Sequence, residues 1–198
     1  MFAAVLDTCV LWPSLQRDIL VSFAIEGIYR PLWSSAILDE LEICETAKLV
    51  KRGTPSQDAD LNAQNLIKEL RRNFDDAEVE GWEKLEGTFG LPDAKDEHVV
   101  AAAVVGGAGA IVTSNLKDFP HATSPPPPTL VPRSIQVIPP DEFALNTVSV
   151  DPVGSRRAIY EVASRSGRHG SKLTVDMIFD QMERVYKMGD AVAVLKGI

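Results

Sequence analysis

The stretch from Leu91 to Phe119, LPDAKDEHVVAAAVVGGAGAIVTSNLKDF, narrows the folds open to this chain more than any other. Val99 to Val105 is apolar with small alanines at its centre, as in a helix packed closely against a sheet, and the glycines that follow predict its end. Ala110 to Thr113 is a short apolar, β-branched run of the kind found in a buried parallel strand. Carboxylates bracket this helix-strand unit, Asp93 and Asp96 ahead of it and Asp118 just past it. In open α/β sheets the ligand crevice lies outside the carboxyl ends of strands, and Asp118 is expected there.

The same alternation runs through the preceding residues. Phe2 to Leu6 predicts a first, central strand with Asp7 at its carboxyl end. Leu15, Ile19 and Phe23 recur every four residues and predict a helix over Ser14 to Glu26. Tyr29 to Trp33 predicts a strand kept to an edge or a strand end by Pro31. Ser34 or Ser35 then caps a helix whose buried face holds Ile37, Leu41 and Cys44 and which carries Glu40. Ala63, Leu66, Ile67, Leu70 and Phe74 predict a helix from about Asp58 to Phe74. Ala77 to Val79 is expected as a short strand, Trp82 and Leu85 as a helix face, Ile135 to Ile138 as the last strand, and Pro139 to Phe143 as a short helix. Pro125 to Pro128 cannot join a sheet interior and predict an extended surface excursion. The expected fold class is α/β, a three-layer α/β/α sandwich around a central parallel sheet.

From Asp151 the pattern is helical only. Asp151 and Pro152 suit the cap and first position of a helix to about Ser164, and Thr174 suits the cap of a second with Ile178, Met182, Val185 and Met188 on its buried stripe. A helical hairpin of this size cannot hold a core alone and is expected to dock. The predicted organisation is an α/β domain over 1–147 and a C-terminal helical extension over 148–198, within what 198 residues of 45% hydrophobic content sustain.

Charge divides the chain along similar lines. The net value of −8 argues against a protein that coats nucleic acid through counterion release. Residues 1–150 hold 12 Lys+Arg against 22 Asp+Glu, a balance of −10, whereas 151–198 hold 8 against 6, a balance of +2. The first part suits a carboxylate-lined cation site. The second offers Arg156, Arg157, Arg165, Arg168 and Lys172 as a basic surface for a polyanion such as RNA. Cys9 and Cys44 lack zinc or disulfide spacing and are expected as buried thiols in a reducing cytoplasm. MFAAVLD has no basic leader pattern and no run is long enough for a membrane span, so a cytoplasmic protein without a membrane partner is expected. Trp12, Trp33 and Trp82 are read as core or partner-contact residues rather than as platforms for bases.

Asp7, Glu40, Asp96 and Asp118 are the candidate site. Carboxylates that converge on one end of a sheet repel one another, and a divalent cation is the usual way to hold them together. Mg²⁺ or Mn²⁺ suits oxygen donors and supports phosphodiester hydrolysis. Asp93 reads as a turn or cap residue and His98 as a polar rim residue outside the catalytic set. Asp7-Thr8-Cys9 lacks the Asp-x-Asp of one phosphatase class, and the paired acids of receiver domains are missing.

The segments LDTCVL, SSAILDELE, DEHVVAAAV and TSNLKDF, in this order, resemble the signature of PIN-domain ribonucleases, and above all the VapC-type toxins of toxin–antitoxin systems. The resemblance covers about Phe2 to Phe143. It implies Mg²⁺- or Mn²⁺-dependent RNA hydrolysis by Asp7, Glu40, Asp96 and Asp118, with Asp7, Asp96 and Asp118 as metal ligands and Asn115 and Thr113 as secondary residues. It also implies a homodimer and a small antitoxin that blocks the site by inserting a basic side chain. The rival expectation is a catalytically silent PIN-like RNA-binding or scaffold protein.

Overall fold

The computed structural model describes residues 2–120, 131, 134–167 and 171–198. Strands β1 (Ala3–Leu6), β2 (Arg30–Leu32), β3 (Ala110–Val112) and β4 (Gln136–Ile138) form one parallel sheet in the order β2-β1-β3-β4. Val5 pairs with Leu32 on one side and Ile111 on the other, and Ile111 pairs with Val137. Ala4, Val5, Leu6, Ala110, Ile111 and Val112 are fully buried, the environment that their small and branched side chains require between two helical layers. Pro31, which has no N–H to donate, sits on the edge strand β2.

The one-turn helix α1 (Thr8–Leu11) and α2 (Ser14–Ile25) connect β1 to β2, and α3 (Ser35–Lys51), α4 (Ser56–Asn73) and α5 (Glu97–Val105) return the chain past β1 to β3. Parallel crossovers are right-handed, so this reversal of direction puts the two sets of helices on opposite faces. It also opens a crevice between the carboxyl ends of β1 and β3, the topological switch point of the sheet. Helix α5 approaches β2 closely at its end. A Cβ at Gly106 would stand 2.9 Å from the Ala102 carbonyl, from Leu32 Cδ1 and from Val79 Cγ2.

Helices α6 (Pro140–Val150), α7 (Pro152–Arg165), α8 (Val175–Arg184) and α9 (Gly189–Lys196) complete the chain. α7 lies along α2 and α9 against α6. Ile159, Val162, Ile178, Met182, Val192 and Leu195 belong to the same buried cluster as the sheet residues, so the extension docks as its size demands. Asp151 caps α7 through the Gly154 N–H at 2.9 Å, and Thr174 caps α8 through the Met177 N–H at 3.2 Å.

Several expectations are corrected. Ala77 to Val79 contributes a single parallel bridge, Trp33 to Glu78, in place of a strand. The helix after β4 runs on to Val150, because Ala144, Thr147 and Val148 continue its buried face. Val185 is exposed, since α8 ends at Arg184, and α9 follows the two expected helices. Cys44 lies on the outward side of α3 and is exposed, while Cys9 is only partly buried. Trp12 is not a core residue. Pro125 to Pro128 and Arg168 lie outside the described residues. Among the described residues no helix is long and apolar enough to cross a membrane.

Candidate active site

Asp7 and Asp96 both stand at helix starts, where a carboxylate ordinarily caps the backbone N–H groups of the first turn. Neither does so: Asp7 precedes α1 and Asp96 precedes α5, and neither side chain accepts a capping bond. The neighbouring Asp93 takes the capping role instead, accepting from the Lys95 N–H at 2.9 Å. The Asp7 backbone N–H donates to the Val112 carbonyl at 3.1 Å and extends the central ladder to the crevice. Its carboxylate is buried, and Oδ2 accepts from Thr113 Oγ1 at 2.6 Å and from Cys9 Sγ at 3.0 Å.

Beyond β3 the backbone N–H of Asn115 donates to Thr113 Oγ1 at 3.0 Å, which ties the turn to the Asp7 cluster. The Asn115 side-chain amide then donates to Asp118 Oδ2 at 2.6 Å and to Asp96 Oδ2 at 3.4 Å. Asp7, Thr113, Asn115, Asp96 and Asp118 are thereby joined. Burial first, then the charges of Asp7, Asp93 and Asp118, push the Asp96 carboxyl up to about 6, with His98 opposing. Burial and then the charge of Asp7 push the Cys9 thiol up to about 11, which leaves it a neutral donor to the Asp7 carboxylate at neutral pH.

Glu40 is held by a second chain of bonds. Its Oε2 accepts from Thr8 Oγ1 at 2.7 Å, its Oε1 lies 3.4 Å from His98 Nε2, and His98 Nδ1 is 3.1 Å from Ser34 Oγ. The His98 hydrogen bond, joined by the one from Thr8, holds the Glu40 carboxyl below the usual carboxylate range against the opposing effect of burial. His98, expected on the rim, is buried, and so is Thr8. Both were missed as site residues. The signal for them is the spacing: Thr8 follows Asp7, and His98 stands two positions after Asp96 in the first turn of α5. Glu97 was missed as well, and its role is structural. Its two oxygens accept from the Phe89 and Leu91 N–H groups at 3.0 and 3.1 Å, which fixes the loop that delivers Asp96.

The donor set is one of hard oxygens, matched to Mg²⁺ or Mn²⁺ rather than to a softer ion. Among the described residues no Lys or Arg forms an ion pair with Asp7, Asp96 or Asp118, so their repulsion has no protein counter-charge. Among the same residues no three His, Cys, Asp or Glu side chains are close enough to share one ion as they stand.

The basic residues of the extension face other tasks. Arg157 Nε donates to Glu26 Oε2 at 2.6 Å, Arg165 donates to Ser22 Oγ at 2.7 Å, and Lys172 Nζ donates to the Ala163 and Ser164 carbonyls at 2.9 and 2.8 Å at the end of α7. Arg156 lies 6.0 Å from the ring centre of Tyr160. Glu26 ends α2 and precedes β2, so Arg157 is anchored at the end of the sheet opposite the carboxylates.

A family model described as PIN domain matches residues 3–117, more than half of the chain. No curated protein and no solved structure matches it.

Proposed function

The chain belongs to the PIN-domain family, and on that premise we propose that it is a metal-dependent endoribonuclease acting as the toxin of a type II toxin–antitoxin module of the VapC kind. PIN domains are generally nucleases that bind divalent metals and act on RNA. One observation carries the assignment of the site: three carboxylates share a hydrogen-bonded network that contains no cation among the described residues, at the switch point of the sheet.

Asp7, Asp96 and Asp118 would hold Mg²⁺ or Mn²⁺, which when bound would polarise the phosphate and acidify water. Thr113 and Cys9 fix Asp7 Oδ2 by donating to it, so that the carboxylate keeps one orientation in the crevice. Asn115 holds Asp96 and Asp118 near each other by donating its amide to both. Glu40, kept ionised by His98 and Thr8, orients or deprotonates the attacking water. The water oxygen forms the new P–O bond, and the bond to the leaving nucleoside oxygen breaks with transfer of a proton to it.

We assign the chemistry to 1–147 and an accessory role to 148–198, where Arg156 lessens the repulsion of RNA while Arg157, Arg165 and Lys172 are taken up by Glu26, Ser22 and the end of α7. A homodimer, an antitoxin that places a basic side chain among the carboxylates, and a cytoplasmic setting complete the reading. A silent RNA-binding relative is the second reading, favoured by the lack of a converged trio of ligands among the described residues.

Incubation of the purified protein with RNA in Mg²⁺, in Mn²⁺ and in EDTA, with mapping of the new ends, separates the two. Cleavage at defined positions that stops in EDTA is expected. Cleavage unaffected by EDTA overturns the metal assignment, and intact RNA in either metal gives the silent reading.

A further inference from the structure

Trp12 ends the single turn of α1, so the chain sets it one short helix away from Asp7. Both ends of that turn are fixed to α3. Thr8 Oγ1 donates to Glu40 Oε2 at 2.7 Å, and Trp12 Nε1 donates to the Cys44 carbonyl at 3.4 Å. Glu40 and Cys44 are four residues apart, hence neighbours on one side of the helix about 6 Å from each other. The indole nitrogen therefore meets α3 about one helical turn from Glu40, which the proposed reaction uses.

Its exposure is out of keeping with a structural role. Trp33 is fully buried and Trp82 is 6% exposed, whereas Trp12 is 45% exposed. Lys48 Nζ lies 5.9 Å from the centre of the ring and donates to the Trp12 carbonyl at 3.0 Å. The ring is thus held by its polar edge and its backbone while much of its apolar surface stays in water. Leu116, 44% exposed, adds a second apolar side chain on the turn that carries Asn115 and Asp118.

The charge around the site indicates what such a ring can bind. A polyanion is repelled by a chain of net charge −8 and by Asp7, Asp96 and Asp118, and the nearby Lys48 is already paired with Glu45 at 2.5 Å. Phosphate contacts are a poor source of affinity there. Stacking of a base on an aromatic ring carries no such penalty and is worth about 5- to 150-fold in affinity per base. It needs a base free of a duplex. We propose that Trp12 is the platform on which an unpaired base next to the scissile phosphate stacks. The inference rests on the ribonuclease reading above and departs from the expectation that the tryptophans are core or partner-contact residues.

The test uses the full chain in EDTA, a ten-nucleotide single-stranded RNA and the same sequence annealed to its complement, with tryptophan emission as the signal. Quenching by the single strand and little by the duplex is expected, because the only widely exposed indole among the three is Trp12. Trp12→Ala abolishes the quenching and weakens binding about tenfold, and Trp12→Phe restores most of the affinity. With metal added, Trp12→Ala raises KM for the single strand while kcat changes far less. Unchanged affinity and KM in Trp12→Ala, with cleavage intact, overturn the platform and leave the ribonuclease standing. Binding and quenching without cleavage retain the platform and remove the ribonuclease. Equal quenching by the duplex, or loss of a co-purified protein partner from Trp12→Ala with RNA affinity unchanged, also overturns it.

Discussion

Glu45 and Glu40 project from the same helix five residues apart and lead to two kinds of charge cluster. Glu45 is buried between Arg17, whose Nη1 is 3.3 Å away, and Lys48 at 2.5 Å, and Arg17 also donates to the Leu11 carbonyl at 3.0 Å. Every charge there has a partner, although the Arg17 Nε is buried without a hydrogen bond among the described residues. Near Glu40 the carboxylates of Asp7, Asp96 and Asp118 meet, among the described residues, the neutral donors Thr113, Cys9 and Asn115. The first cluster joins α1, α2 and α3 and is complete in the protein alone. The second holds repulsion that a bound cation would relieve. Burial alone therefore does not tell the two clusters apart; compensation does.

The comparison is broken most strongly at the uncompensated cluster. Asp7→Asn and Asp96→Asn each remove a proposed metal ligand, and cleavage is expected to fall about a thousandfold, the equivalent of several kcal/mol of transition-state stabilisation. The fold is retained by circular dichroism. Either variant with wild-type cleavage in Mg²⁺ or Mn²⁺ ends the site assignment.

The compensated cluster answers in the opposite currency. Glu45→Ala leaves Arg17 and Lys48 buried without their carboxylate and costs about 3–5 kcal/mol of stability by urea unfolding. The folded fraction keeps its cleavage rate. A loss of activity in protein shown to be folded means that the two clusters are coupled.

A finer effect comes from Asp96, whose carboxyl is pushed up to about 6 from the ordinary aspartate value of 3.8. The folded protein then binds more protons than the unfolded one between those limits, so this group lowers metal-free stability as pH rises from about 4 to 6. Below that window the effect is absent and above it complete. In EDTA, Asp96→Asn is expected to raise Tm by a few degrees at pH 7 and to leave it unchanged near pH 3.5. Addition of Mg²⁺ narrows the difference, because the ion stabilises the wild type alone. An Asp96→Asn variant less stable than wild type at pH 7 without metal contradicts the repulsion.

The smallest effect is expected in the extension. Arg156→Glu weakens RNA binding about twofold and lowers the salt slope by about one, with metal binding unchanged. A larger loss places the extension in direct contact with RNA. No loss assigns Arg156 to the protein surface alone.

Much of this was legible because it depends on neighbours in sequence. The buried run Ala110 to Val112 and its helix α5, the cap at Ser34 and the capping Asp151 and Thr174 follow from composition and turn chemistry within a few residues. So does the position of Asp7 at a strand end, since a strand of period two ends where its apolar run ends. The order of the four acids was enough to suggest a shared site.

Only the tertiary structure decided which partner each charge finds. Glu40 meets Thr8 and His98 through |i−j| separations of 32 and 58 residues, and Thr113 reaches Asp7 across 106, contacts set by the parallel register of β1 and β3. Glu45 and Glu40 look alike in sequence, and one is neutralised by Arg17 because α2 passes beside it. Trp12 is exposed because α1 ends after one turn, pinned to α3 by Thr8, and carries the ring past the edge of the core. Local sequence fixes where a side chain leaves the backbone. Whether it meets a counter-charge, another carboxylate or water depends on which distant element the packing brings to that place.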